Sequence, residues 1–302
     1  MSKKTVFCLL LAILCCLSLA ALADDGISVT DMHGRVITLD APATRVVAIQ
    51  PSDCEILCAI GCEDALIGRG QYCDYPETIL DRPVVQSGAN TNIEEILALK
   101  PELVLMNDMA QSEEQVRQLE ENGVKVVVSS ATDIEGVYYA IRMVGTLMGR
   151  EENAESVIAD MQGTFEKIHS SVTNEGKTIY FEVSPLQYGL YSAGSGTFMD
   201  ELAEICGLVN VFHDTEGWPA VNEETVIAKM PDYIVSIAGM GDASVNEILG
   251  RKGWEEVPAV KLRQVYNADS NAIARPGPRL KDAALELYSF IYGADLENVP
   301  AA

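Results

Sequence analysis

Residues 151–172 form a stretch in which apolar side chains recur at steps of three or four. This period is typical of one face of an α-helix, which at about 1.5 Å per residue would be roughly 33 Å long. Gly149 ends the preceding helix, and the turn-forming residues 174–176 end this one. The helix either connects two lobes or crosses over within one α/β domain, and periodicity alone does not separate the two. The apolar residues of the face are Ala154, Val157, Ile158, Met161, Phe165, Ile168 and Val172.

The segments on either side of this helix both alternate strands with helices, and they share one unit. In the first segment a helix starts at Ile93 and leads through Lys100-Pro101 into a buried strand. In the second, a helix starts at Glu223 and leads through Met230-Pro231 into a buried strand. A single domain has no need to repeat the unit. We therefore predict an α/β protein with two lobes of mainly parallel sheet, joined by the one long helix, with a ligand cleft between them.

The first 23 residues have the features of a secretory signal peptide. Lys3 and Lys4 form a basic start, an apolar run follows, and Ala21-Leu22-Ala23 is a cleavage site. Cys15 and Cys16 leave lipid attachment or a retained anchor as the alternative to simple cleavage. The predicted protein is exported, periplasmic or associated with the cell surface, and soluble after cleavage. The predicted segments are a signal at 1–23, an N-terminal lobe at 24–148, a connecting helix at 149–175 and a C-terminal lobe at 176–302.

The charge of the chain limits its partners. It has 45 acidic and 21 basic residues, and its formal net charge is −24. A surface of this sign repels nucleic acid and anionic lipid, so neither is an expected partner.

Five cysteines follow the signal, and this odd number leaves at least one thiol free. Cys54, Cys58 and Cys62 recur every four residues, which permits a metal cluster. Small buried thiols in the core are favoured instead, because no histidine lies near them in the sequence. If a disulfide forms after export, Cys54 and Cys73 are the expected pair.

Ligand contacts are expected in the loops that follow the strands. Residues 27–40 predict a β-hairpin, and 46–49 predict a buried strand whose following helix is capped by Ser52 or Asp53. In open α/β sheets, ligands bind beyond the carboxyl ends of the strands. The loops there are rich in Tyr, Ser, Asn and Gly, which together with an arginine suit a bulky, partly anionic small molecule. Packing between the lobes is the alternative role of these aromatic residues. The predicted ligand-binding residues are Tyr72, Tyr75, Ser87, Tyr188, Tyr191, Trp218, Asn271 and Arg275.

The sequence contains no recognisable catalytic motif. Its three histidines form no metal-binding pair, and the glycine-rich loop 193–197 lacks the third glycine of a dinucleotide-binding fingerprint. We therefore expect no enzymatic activity, no catalytic residue, and no cofactor or metal site of the protein's own. Two other classes stay open, namely an exported two-lobed hydrolase or transferase that uses cleft carboxylates, and a surface adhesin.

Four segments carry further information in their order and spacing: 44–48 (TRVVA), 72–76 (YCDYP), 92–104 (NIEEILALKPELV) and 275–279 (RPGPR). Together they resemble the helical-backbone class of ABC-transporter substrate-binding proteins, the family of ferric-siderophore and vitamin B12 binders. The match covers nearly the whole chain after the signal. It implies two Rossmann-like lobes on a rigid helix, with the ligand between them and little hinge motion.

The resemblance also implies a ligand and a partner. The ligand would be a metal chelate that contains iron or cobalt, as a ferric siderophore, cobalamin or haem does. The protein would act as a monomer and hand the chelate to an ABC permease in the membrane. The absence of a dense arginine cluster argues against strongly anionic catecholate siderophores.

Individual residues match positions of known role in this family. Glu94 and Glu224 resemble the glutamates that dock into arginine pockets of the permease, one on each lobe. Tyr72, Trp218 and Arg275 resemble pocket positions of the B12 binders. Some members bridge a cysteine that resembles Cys206 to a later one, and because this chain has no later cysteine, a free thiol is expected there.

Overall fold

The computed structural model describes residues 26–88, 90–107, 113–172, 176–239 and 241–293. The predicted signal peptide and residues 174–175 of the predicted turn lie outside these ranges. Within them, no helix combines the length and the apolar character that crossing a lipid bilayer requires.

Strands and helices alternate along both halves of the chain. The strands are β1 (Ile27–Thr30), β2 (Val36–Leu39), β3 (Val46–Ala48), β4 (Leu66–Gly70), β5 (Val84–Val85), β6 (Leu103–Met106), β7 (Lys125–Val128), β8 (Thr178–Glu182), β9 (Leu190–Tyr191), β10 (Val209–Asn210), β11 (Ala220–Val221), β12 (Tyr233–Ser236) and β13 (Val265–Asn267). The α-helices are α1 (Pro51–Ala59), α2 (Ile93–Ala98), α3 (Glu113–Glu121), α4 (Ile134–Leu147), α5 (Glu151–Ser171), α6 (Phe198–Ile205), α7 (Glu223–Lys229), α8 (Asp242–Leu249), α9 (Pro258–Lys261), α10 (Ser270–Ile273) and α11 (Leu280–Tyr292).

Each half of the chain builds one parallel sheet. The first has the strand order β5-β4-β3-β6-β7, and the second has the order β10-β8-β12-β13. Every pairing within these two sheets is parallel. Two antiparallel pairs complete the strands, β1 with β2 as the hairpin pattern predicts, and β9 with β11. The predicted α/β fold with two lobes is therefore confirmed.

Each sheet packs apolar residues on both of its faces, because successive side chains of a strand point to opposite sides. In β3, Val46 and Ala48 belong to the largest apolar cluster of the described residues. Val47 points the other way, into a cluster that contains Ile96 of α2 and Leu119 of α3. A strand covered on both faces has a continuous apolar sequence, which is why this strand was predictable.

The long helix predicted at 151–172 is α5. It follows Gly149, whose φ of +60° is a left-handed conformation that favours glycine. The helix packs against α4 of the first lobe and α11 of the second. Its buried Ile158 shares one apolar cluster with Ile141 of α4 and Leu287 of α11. The connector is therefore part of the core of both lobes.

The unit that repeats in the sequence also repeats in three dimensions. Asn92 caps α2 and Asn222 caps α7, each with its side-chain oxygen. Lys100 and Met230, each followed by a proline, have positive φ values of 53° and 48°. The strands that follow, β6 and β12, each lie between the first parallel strand of their lobe and an edge strand. The two lobes thus share a local conformation as well as an order of elements.

The helix caps were only partly predictable. Asp133 caps α4 through its side chain, as its position before the helix predicts. The predicted cap of α1 by Ser52 or Asp53 is wrong, since the helix begins at Pro51 with Gln50 at the N-cap position and no side-chain cap. Proline has no backbone N–H group, so it leaves no donor unpaired at the first helical position. The helix can therefore begin at Pro51, earlier than expected.

The predicted cysteine pair is adjacent in space, but the two thiols are free. Cys54 and Cys73 are both fully buried, and their sulfur atoms lie 3.5 Å and 3.8 Å from the carbonyl oxygen of Ala48. Cys206 is free and buried, as predicted. All three thiols pack in the largest apolar cluster.

Candidate ligand-binding cleft

A cavity of about 590 Å³ lies between the two lobes, beyond the carboxyl ends of their strands. On the N-terminal side, Gln50 follows β3, Asn107 follows β6 and Ser129 follows β7. Because these three strands are parallel neighbours, their ends bring together three neutral polar side chains from distant parts of the sequence. The lining residues are Gln50, Asn107, Ser129, Ser130, Ala131, Thr132, Val183, Ser184, Tyr191, Phe198, Met199, Trp218, Ile237, Ala274 and Pro276.

The C-terminal lobe supplies the aromatic wall of the cavity. Tyr191, Phe198 and Trp218 line it, and the rings of Phe198 and Trp218 meet edge to face at 5.6 Å. The loop that carries Trp218 lies directly against Gly194. A Cβ atom at position 194 would stand 1.8 Å from the carbonyl oxygen of Thr215, so only glycine allows this approach. In the glycine-rich loop 193–197, Gly194 therefore allows two backbone segments to pack closely.

None of the described lining residues carries a charge. Their polar groups are hydroxyls and amides, which can form hydrogen bonds with a ligand without net charge. The cavity therefore offers aromatic and apolar contact with a few neutral donors and acceptors.

A cluster of charged residues joins the lobes beside this cavity, and we name it the interlobe clasp. It consists of Glu55 and Asp74 from the N-terminal lobe and Asp269, Arg275 and Arg279 from the C-terminal lobe. Arg275 Nη1 lies 2.7 Å from Asp74 Oδ1 and 3.1 Å from Glu55 Oε1. Arg279 lies 3.5 Å from Glu55 Oε2 through Nε, and 3.5 Å from Asp269 Oδ2 through Nη2.

The clasp neutralises its own arginines. Burial raises the pKa of Glu55, although Arg279 and Arg275 both act to lower it. Burial also acts to raise the pKa of Asp74, but the hydrogen bond and charge of Arg275 hold that pKa below its usual value. Two guanidinium groups thus face three carboxylates. Both arginines therefore keep their charge, but carboxylates of the protein itself already compensate it.

A second set of contacts joins the lobes through backbone groups. The N–H of Phe198 donates to the carbonyl oxygen of Thr132 at 2.8 Å. Glu201 Oε2 accepts a hydrogen bond from the N–H of Ile134 at 2.6 Å, and so satisfies a donor at the start of α4. The two lobes are therefore held together at two separate places as well as through α5.

The structure brings only some of the predicted ligand-binding residues to the cavity. Tyr191 and Trp218 line it. Ser87 is buried outside the lining, with its hydroxyl near Gly70. Tyr72 and Tyr188 also lie outside the lining and are 65% and 77% exposed, the two most exposed tyrosines among the described residues.

The other three predicted residues lie in or next to the interlobe clasp. Arg275 Nη2 donates to Asn271 Oδ1 at 2.8 Å and to the carbonyl oxygen of Tyr72 at 3.2 Å. The guanidinium of Arg279 stacks on the ring of Tyr75, 4.1 Å from its centroid. These side chains take part in contacts between the lobes, and their contact with a ligand stays a prediction.

Sequence reasoning missed several lining residues as individuals. Asn107, Ser129 and Phe198 were not singled out, although two of them lie in loops that follow buried strands. The usable signal is the first polar residue after each buried strand, since that residue is carried to the same edge of a parallel sheet. Most of the predicted ligand-binding residues are large aromatic residues instead.

The two predicted docking residues occupy equivalent positions. Glu94 and Glu224 are exposed, and each lies in the first turn of its helix, α2 or α7, next to an asparagine cap. Each helix leads into an inner strand of the parallel sheet of its lobe, β6 after α2 and β12 after α7. The two glutamates therefore occupy the same place in the repeated helix-Pro-strand unit.

Comparison with known proteins agrees with this architecture. The model of the periplasmic binding protein family matches residues 46–272. YvrC, an uncharacterised ABC transporter substrate-binding lipoprotein of Bacillus subtilis, is 31% identical over 274 residues, which are 88% of this chain and 85% of that protein. The vitamin B12-binding protein of Salmonella choleraesuis is 27% identical over 250 residues, which are 81% of this chain and 89% of that protein.

A solved structure shows the same similarity. A possible iron-binding periplasmic solute-binding protein from Staphylococcus epidermidis has a TM-score of 0.73 and 29% identity, and the match covers 83% of this chain and 99% of that one. The chain therefore belongs to the periplasmic binding protein family, and its predicted relationship to ABC-transporter substrate-binding proteins is confirmed.

Proposed function

We propose that the protein is an exported receptor that binds a bulky, uncharged metal chelate of the cobalamin type and delivers it to an ABC permease. The observation that carries this proposal is the uncharged cavity with an aromatic wall, next to arginines that are already paired with carboxylates. Binding is the whole mechanism, and no bond of the ligand changes.

The charge of the cleft separates the ligand classes. Haem carries two carboxylates and catecholate siderophores are strongly anionic, so both need cationic partners when they are buried. The described lining has none, and the net charge of −24 adds repulsion at longer range. A corrinoid with a rim of primary amides needs only neutral hydrogen-bonding groups and flat aromatic contact, which this cavity supplies. The partly anionic ligand expected from the sequence is therefore not the one we propose.

Relatives support the same choice. The proteins similar over more than four fifths of this chain include the vitamin B12-binding protein of Salmonella choleraesuis at 27% identity and a cobalamin-binding protein of Halobacterium salinarum at 28%. The alternative of an exported hydrolase or transferase relied on cleft carboxylates, and none is among the described lining residues. Export, a monomeric state and permease docking through Glu94 and Glu224 are parts of the proposal.

Calorimetric titration of the purified protein tests the ligand class. Cyanocobalamin, haemin, a ferric catecholate and a neutral ferric hydroxamate are compared at one pH and salt concentration. We expect cyanocobalamin to bind at least about 100-fold more tightly than haemin or the catecholate, a difference of about 3 kcal/mol. Tighter binding of haemin or of the catecholate would contradict the proposal.

A pair of aromatic variants locates the binding. Trp218→Ala removes a ring from the cavity wall, and we expect it to weaken cyanocobalamin binding about 30-fold. Tyr188→Ala removes an exposed ring outside the lining and serves as the matched control, with affinity within about threefold of the wild type. Equal losses in the two variants would mean that the ligand lies elsewhere.

A further inference from the structure

Asp53 is a buried carboxylic acid in the first turn of α1. Its side chain is fully buried, and it is the third residue of α1 without capping that helix. Its Oδ1 accepts a hydrogen bond from Ser129 Oγ, whereas its Oδ2 has no hydrogen-bond partner in the described part of the chain. No cation pairs with it there. Burying such a group costs several kcal/mol, so its presence calls for a reason other than stability.

Ser129 connects this carboxyl group to the cleft. It follows β7 directly and lines the cavity, although only 6% of its surface is exposed. A serine hydroxyl has one proton and two lone pairs. Because the proton of Ser129 is donated to Asp53, the hydroxyl can offer only a lone pair to a group in the cavity.

The neighbouring amide side chains have no such fixed direction of hydrogen bonding. Gln50 and Asn107 line the same floor, but each amide carries both a donor and an acceptor and presents either one by a flip of its terminal group. Of these three residues, Ser129 is the one whose hydroxyl is bonded to a buried carboxyl group behind the lining.

We propose that Asp53 is a positioning residue that acts through Ser129 to hold a hydrogen-bond acceptor on the cavity floor. This acceptor selects ligands that present a donor there, such as a primary amide or a hydroxyl group, and rejects a carboxylate of the same shape. The inference rests on the proposed function, because the amide rim of a corrinoid supplies such donors. The Ser129 acceptor would add one specific hydrogen bond to a cavity that otherwise recognises the size and the flat shape of the ligand.

The test compares cyanocobalamin with each of its monocarboxylate derivatives, in which one rim amide is replaced by a carboxylate. Burial raises the pKa of Asp53 to about 7, so at pH 8 the group is mostly ionised and accepts the proton of Ser129. We expect the wild type to discriminate against at least one monocarboxylate by about 30-fold or more, as expected when a buried acceptor faces an acceptor.

Asp53→Asn gives the sharpest readout. The amide at position 53 can either donate to Ser129 Oγ or accept from it, so the direction of this bond is no longer fixed and the hydroxyl proton becomes available to the ligand. We expect the preference for the amide to fall at least about tenfold below that of the wild type, while cyanocobalamin binds more weakly. Ser129→Ala should lower the preference by a similar factor, and the remaining preference reflects burial of a carboxylate without a cation. Ser244→Ala, which removes a buried hydroxyl outside the lining, is the matched control and should keep the wild-type ratio.

The outcomes separate this inference from the proposed function. If the wild type binds cyanocobalamin and Asp53→Asn keeps the wild-type discrimination, the inference is wrong and the proposed function stands. If the wild type binds every monocarboxylate as tightly as cyanocobalamin, the inference is also wrong. If the wild type binds no corrinoid, both are wrong. Thermal melting establishes whether each variant is folded. If Asp53→Asn does not fold, the ligand preference of Ser129→Ala tests the inference.

Discussion

Arg275 of the C-terminal lobe donates to Asp74 of the N-terminal lobe at 2.7 Å, across 201 positions of sequence. The same nitrogen lies 3.1 Å from Glu55, whose side chain is only 2% exposed. Arg275, which the sequence predicts to bind the ligand, is thus paired with carboxylates of the protein itself. This pairing both closes one flank of the cleft and leaves the cavity uncharged.

Removing the guanidinium of Arg275 should destabilise the protein. Arg275→Gln leaves Glu55 and Asp74 without their closest cation, and we expect the free energy of unfolding to fall by about 3 kcal/mol. Urea unfolding measures the change. Arg117→Gln breaks an exposed pair on α3 and should cost much less, because solvent screens an exposed ion pair. Equal losses in the two variants would mean that the clasp does not stabilise the contact between the lobes.

The stability of the protein should depend on pH through Asp53. Its pKa is about 7 in the folded protein against an ordinary value of 3.8, so between these values the folded state binds a proton that the unfolded state lacks. Stability from this group is therefore greatest below pH 4 and falls as the pH rises to about 7, by up to about 4 kcal/mol. Asp53→Asn lacks this dependence, so its gain over the wild type should be larger at pH 8 than at pH 5.

Urea unfolding of both proteins at pH 5 and pH 8 measures this difference. Other buried carboxyl groups, such as Glu182, titrate in both proteins and cancel in the comparison. If the two proteins lose stability in parallel between the two pH values, Asp53 is not the group that titrates.

Two glycines test the packing of the connector. A Cβ atom at Gly145 of α4 would lie 2.5 Å from the Cβ of Ala154 on α5, so Gly145→Ala should cost about 1–3 kcal/mol. A Cβ at Gly163 of α5 meets nothing within 4 Å, so Gly163→Ala should stabilise the protein by about 0.5–1 kcal/mol through helix propensity. Thermal melting of the two variants measures the opposite signs. A shift of the same sign in both would contradict the close approach of α4 and α5.

Docking should be separable from ligand binding. Glu94→Ala combined with Glu224→Ala leaves the cavity lining intact, so we expect unchanged ligand affinity together with loss of transport in a reconstituted permease. Glu152→Ala combined with Glu166→Ala makes the same change of charge on the exposed face of α5 and should leave transport intact. Transport lost equally in both double variants would point to a general effect of charge, and a fall in affinity would show that the docking assignment is wrong.

The elements that were predictable rely on local patterns. The period of α5, the apolar run of β3 and the side-chain caps Asn92 and Asp133 are each readable within a few residues of sequence. The repeated helix-Pro-strand unit then identified two lobes. Local signals agree with the global fold here, as expected for elements that carry no special function.

The site was less predictable because its contacts join distant residues. Asp53 and Ser129 are 76 positions apart, and Glu55 and Arg275 are 220 apart. Side-chain chemistry indicates that an arginine can bind an anion. It does not indicate that this arginine already pairs with a buried carboxylate of the other lobe. Most of the tyrosines that were predicted to bind the ligand lie outside the cavity lining, whereas small polar residues at strand ends belong to it.

The apolar cluster around α5 has a consequence for how the molecule comes apart. Ile141, Ile158 and Leu287 belong to one continuous core although they come from one lobe, the connector and the other lobe. Neither lobe could lose its structure without uncovering the apolar surface of its neighbour. The protein should therefore melt in one cooperative transition, and a fragment that ends before α5 should not survive as an independent domain.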